Sequence, residues 1–306
     1  MKSAVRKKFL VPIIKLPEKR TWRPWGAIEC DSVIVNAHNL LSGTGLMTNK
    51  LFERVKEAGG LHDYIGFDGK VILSSIMPDK TIFGLTPERY AELIKVCKPD
   101  FYFTPDAETY LGFTNLSELE IARIEKEFLY ILDSCPESIP IGLVKGSNLE
   151  QVRSHADFLS SKGVDYFVFH VGDYLCRGTM NSSSTARFFA REISCRGCRF
   201  MVYGVGSRKQ IRLFSFADEF ATQSHYVQAF YGKRLENGRP VKIRHEVTRA
   251  DIMQNLVDVQ KNVEKVEPTG LIFKWLFPIE NNSVMPKEKL LLNQKSLIIK
   301  RDACVA

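Results

Sequence analysis

Residues 33–41 read VIVNAHNLL, and residues 57–75 read EAGGLHDYIGFDGKVILSS. A short apolar run ends in the polar cluster Asn36-Ala37-His38. A double glycine, Gly59-Gly60, is followed by Leu61-His62, and a second apolar run ends in the hydroxyls Ser74 and Ser75. Short β-branched runs closed by polar or glycine residues predict strands. The pattern recurs downstream, with strands predicted over 32–36, 70–75, 100–104, 139–144, 165–171 and 200–205. Helical spacing lies between them, over 86–98, 117–134 and 148–162, with another start at 207–214 and an amphipathic stretch at 247–266. Thr86-Pro87-Glu88 has the form of a cap with proline at the first helical position, and Gly163 is a stop signal.

A βαβα rhythm implies a parallel sheet, either doubly wound or closed into a barrel. About eight such units in 306 residues favour the α/β class's eight-stranded (β/α)8 barrel. Residues 1–266 are assigned to the barrel and 267–306 to a C-terminal extension of unassigned role. Barrel enzymes carry their chemistry in the loops after the strands. Those positions hold Asn36, His38, Ser74, Ser75, Asp106, Lys145, His170, Gly172, Gly204 and Gly206.

Composition narrows the class. A net charge of +8 favours a polyanionic partner or else a solvated basic surface. No apolar run reaches the ~18–20 residues that cross a bilayer, so no membrane partner is expected. Seven cysteines, an odd number in a long chain, suit free thiols in a reducing, cytoplasmic setting.

These segments resemble the tRNA-guanine transglycosylase superfamily, including its DNA-modifying relatives. The family's early pattern is similar to Asn36-Ala37-His38-Asn39-Leu40, then Gly59-Gly60-Leu61-His62, then Ser74-Ser75-Ile76-Met77. Further on, KPDFYFTPDAETY resembles the segment whose Pro-Asp binds the base, and GLVKGS the strand end where this chain has Lys145 in place of Gln. FVFHVGDYLCRG and VYGVG resemble the glycine-bearing turns against the base, and ADEFATQSHYVQAFYGKR the segment that carries the nucleophile. The resemblance runs from about Phe9 to Arg234. It implies a β/α barrel that exchanges guanine for a 7-deazaguanine, with Asp106 reading the base beside Lys145, Gly172 and Gly204. Guanine or a 7-deazaguanine, tRNA or DNA, and a homodimer or a heteromer with an active transglycosylase are the partners it implies. A carboxylate suits the Watson–Crick edge of guanine because it accepts two N–H bonds; an Asp after Pro105 also suits an N-cap.

The reacting centre departs from the family. Its two aspartates align with Ser74 and Ala221. A methyl group cannot attack a sugar carbon, and a serine without an activating neighbour is a weak base. Substitutes near Ala221 are Asp218, Glu219 and His225, with strand alternation putting Glu219 on the same face as Ala221. No cofactor is expected, because the family's zinc site has no counterpart: beyond Ala221 only Cys304 remains. Cys195-Arg-Gly-Cys198 would need two more ligands, such as Cys176 and His170, to hold a metal. Residues 232–245, GKRLENGRPVKIRH, place Lys233, Arg234, Arg239, Lys242 and Arg244 in a candidate nucleic-acid rim or a solvated hairpin. The expectation is a transglycosylase-like protein that binds base or nucleic acid without the usual catalysis, or else a transferase using substituted residues.

Overall fold

The computed structural model describes residues 8–16, 23–109, 112–175, 182–237 and 239–266. The 267–306 extension, Cys176 and Cys304 lie outside these residues. Eight parallel strands close into a barrel in chain order: β1 (Phe9–Ile14), β2 (Ser32–Asn36), β3 (Lys70–Ser74), β4 (Phe101–Phe103), β5 (Ile139–Leu143), β6 (Tyr166–His170), β7 (Arg199–Tyr203) and β8 (Glu219–Thr222). β8 pairs back to β1 from Phe9↔Glu219 to Pro12↔Thr222, which removes both sheet edges. The fold is the expected (β/α)8 barrel.

Helices alternate with the strands. They are α1 (Lys50–Glu57) and α2 (Leu61–Ile65) after β2, α3 (Asp79–Ile82) and α4 (Pro87–Cys97) after β3, α5 (Thr114–Ser134) after β4, and α6 (Leu149–Ser161) after β5. α7 (Gly172–Leu175) and α8 (Ser182–Ser194) follow β6, α9 (Arg208–Leu213) follows β7, and α10 (Ser224–Phe230) and α11 (Arg249–Glu264) follow β8. The cap read at Thr86 forms, its side chain accepting from the Arg89 N–H; the structure adds caps at Asn148, which accepts from the Gln151 N–H, and Ser207, which accepts from the Gln210 N–H. Gly163 is left-handed, at φ +85°.

The two strands missing from the sequence expectation are β1 and β8. β1 contains Pro12, which usually argues against an interior strand because it cannot donate to the ladder. β8 is four residues long and begins with a charge that proves to be buried.

Alternation divides the strands between two cores. Val11, Ile13, Ile34, Ile72, Phe103, Ile141, Leu143, Tyr166, Val168, Met201, Tyr203 and Ala221 fill the barrel interior. Their neighbours, among them Val33, Val35, Phe167, Phe200 and Phe220, point outward beneath the helices. Burial on both faces is why the strands read as continuous apolar runs.

The β8–α11 connection carries α10 and an antiparallel ribbon, β9 (Lys233–Glu236) with β10 (Arg239–Lys242). β8 ends at the C-terminal face of the barrel, and α11 returns along β1. The ribbon therefore follows a strand end on the face where barrel proteins place their sites, and packs beside α10 and α11.

Candidate functional site

The barrel mouth is built from strand ends. Tyr203, the last residue of β7, points inward because it sits two residues from Met201. Its hydroxyl donates to Asn36 Oδ1 at 2.9 Å, across the barrel. Phe103 and His170 stand edge-on to its ring at 6.0 and 5.3 Å. Burial raises the Tyr203 phenol, against the lowering pull of its bonds to Asn36 and Ser74, so it remains a neutral donor. Ser74 is fully buried and its hydroxyl also accepts from the Ile76 N–H at 3.1 Å. Tyr203 thus caps the interior core. It escapes a motif-based reading because it lies inside the VYGVG turn segment; its inward phase was available from strand alternation.

Ala221 lies in that core. It is opposite Tyr203 in the β7–β8 ladder and has no exposed surface. Glu219 does share its inward face, as alternation requires, but opens the strand at the other end of the barrel. There the Tyr166 hydroxyl and the Arg199 guanidinium both donate to its carboxylate, and Arg199 covers the Tyr166 ring at 4.3 Å. Asp218 faces away and accepts from the Phe200 N–H at 2.9 Å. His225 is enclosed on α10, where burial pushes its imidazole down to about 3. The structure does not gather these three around Ala221.

Asp106 and Lys145, from the loops after β4 and β5, come together as a buried ion pair at 2.7 Å; their side chains are 6% and 11% exposed. Asp106 Oδ1 also accepts the Ala107 N–H at 2.8 Å. The Lys145 N–H donates to His155 Nδ1 at 3.0 Å, and burial holds that imidazole neutral, at about 4. Asp106 borders a small cleft shared with Ser75, Tyr90, Arg123 and Glu127. The carboxylate and the ammonium satisfy each other at this strand-end corner.

Gly172 and Gly204 adjoin each other at the ends of β6 and β7. A Cβ on Gly172 would stand 2.6 Å from His170 Nε2, and Gly204 adopts φ +92°. Their lack of side chains makes room for the His170 ring.

His62 lies far from the mouth. It pairs with Asp100 Oδ2 at 2.9 Å at the start of β4, so the GGLH segment ties α2 to the N-terminal end of the barrel. Cys195 and Cys198 sit at that end too, just before β7, whereas His170 ends β6 at the mouth; the three do not converge. Among the described residues no group of three or more His, Cys, Asp or Glu side chains is placed to hold a metal ion.

Lys233 and Arg234 on β9, Arg239 and Lys242 on β10, and Arg244 beyond it form one basic ribbon. Arg234 pairs with Glu236 at 2.6 Å.

No protein-family model matches the chain, and no curated protein matches it. No helix among the described residues is long and apolar enough to cross a membrane.

Proposed function

We propose that this protein is a transglycosylase-like barrel that binds a guanine or 7-deazaguanine base, or nucleic acid carrying one, without performing base exchange. The observation that carries the reading is the state of the two family positions: Ala221 is walled into the barrel core and Ser74 is buried with its hydroxyl engaged. Neither supplies a carboxylate, and both lie in the layer capped by Tyr203. Asp106, beside Lys145, is the proposed reader of the base edge. The basic ribbon is the proposed rim for the phosphate backbone. In this role the chain serves as a non-catalytic binding subunit, alone, as a homodimer, or beside an active transglycosylase.

The test has two arms. Purified protein incubated with labelled guanine and bulk tRNA or DNA is expected to incorporate no label. Incorporation above background would establish the alternative, a transferase with substituted catalytic residues. Calorimetry is expected to detect guanine binding that the double variant Asp106→Asn, Lys145→Met abolishes. The pair is changed together because removing Asp106 alone strands a buried cation, at a cost of roughly 3–5 kcal/mol. Unchanged affinity in the double variant would remove the Asp106 assignment.

A further inference from the structure

We infer that the β8–α11 insertion is a platform for an unpaired segment of nucleic acid, in which exposed Phe230 and Tyr231 stack bases and the adjacent ribbon holds the phosphates. This deepens the proposed function, resting on it only in taking nucleic acid as the partner.

Two large rings stand side by side in solvent at the end of α10. Phe230 is 83% exposed and Tyr231 67%. Their centroids are 5.5 Å apart and their planes nearly perpendicular, at 80°. One ring therefore offers an open face while the other forms a wall beside it, a corner that fits a flat heterocycle. Bases stack on such faces irrespective of sequence.

The chain passes straight from these rings into the basic ribbon. Lys233 pairs with Lys242 in the ladder, so both cations lie on one face at the ribbon's root, nearest Tyr231. Ile243 N–H bonds Gly232 O at 2.7 Å, which brings Arg244 to the same root. Several cations elsewhere are paired: Lys70 with Asp100, Arg153 with Glu192, Arg196 with Asp157 and Arg199 with Glu219. Among the described residues Lys233, Arg239, Lys242 and Arg244 have no carboxylate partner.

The combination selects the ligand. A polyanion alone would not need two solvent-exposed aromatic rings. An apolar protein partner would meet four uncompensated charges, costly to desolvate. A duplex hides its base faces, whereas a single strand offers phosphates and stackable faces together.

The test is fluorescence anisotropy on the full chain. The probes are fluorescein-labelled single-stranded RNA and DNA of one mixed sequence, and the duplex DNA of that sequence. The native protein is expected to favour a single strand over the duplex, and the tighter of RNA and DNA identifies the source. Phe230→Ala with Tyr231→Ala is expected to weaken single-strand binding roughly five- to hundredfold and to leave duplex binding unchanged. Lys233→Gln with Lys242→Gln is expected to weaken both and to flatten the dependence on salt. These side chains are exposed, so an unchanged thermal transition confirms that each variant folds. The inference is overturned if native protein binds none of the probes, or if the aromatic variant binds single strands as the native chain does. An equal loss on duplex overturns it too. Oligonucleotide binding without guanine binding would retain the platform and remove the base-reading role of Asp106.

Discussion

Tyr102 illustrates how a single polar atom is placed by tertiary packing. It lies on β4, wholly buried beneath the helices, edge-on to Tyr90 at 6.4 Å. Its hydroxyl has no hydrogen-bond partner among the described residues, and burial raises the phenol. An unsatisfied buried hydroxyl costs roughly 1–3 kcal/mol. Tyr102→Phe is therefore expected to stabilise the protein by about 1 kcal/mol, read as a higher urea midpoint with an unchanged slope. A lower midpoint would mean that the hydroxyl is satisfied. Tyr90, the neighbouring tyrosine, differs because its hydroxyl donates to Phe103 O at 2.8 Å.

At the scale of an element, α11 shows how local chemistry starts a helix. Thr248 and Asp251 cap each other: the threonine hydroxyl accepts from the Asp251 N–H, and the carboxylate accepts from the Thr248 N–H at 2.9 Å. The Thr248 bonds, aided by His245, hold Asp251 down to about 2. A depressed carboxylate contributes stability above its unfolded value of about 4 and loses it as pH falls toward about 2. Asp251→Asn is expected to remove this part of the acid sensitivity between pH 4 and 2, measured by denaturation at a series of pH values. An unaltered profile would place the acid sensitivity elsewhere. Thr248→Ala is expected to cost roughly 0.5–2 kcal/mol at neutral pH.

At the scale of the whole molecule, barrel closure decides what Ala221 can become. Its methyl group packs within a closed interior under Tyr203, with Val11 and Met201 in the same cluster. A carboxylate there would be desolvated, with no described cation in the cluster to pair with it. Ala221→Asp is expected to destabilise the fold by several kcal/mol, at the extreme of single substitutions, and not to restore exchange. Thermal unfolding checks the first point and labelled-guanine incorporation the second. A variant as stable as the native chain would show that the mouth opens.

Local sequence signals favoured the barrel over a doubly wound sheet, with six of its eight strands legible. Short apolar runs, the cap at Thr86 and the repeated strand–helix spacing are local signals, and each names its element without reference to the rest of the chain. The sequence also placed Asp106 and Lys145 at adjacent strand ends and gathered the ribbon's cations by simple proximity in the chain. Tertiary structure alone decided the rest, because burial and distance belong to the closed barrel. Only closure makes β1 a strand despite Pro12, sends Glu219 and Ala221 to different layers of one interior, and carries the Tyr203 hydroxyl across to Asn36. It likewise separates His62 and the Cys195–Cys198 pair from the mouth, since segments before and after a strand end at opposite faces of a parallel barrel.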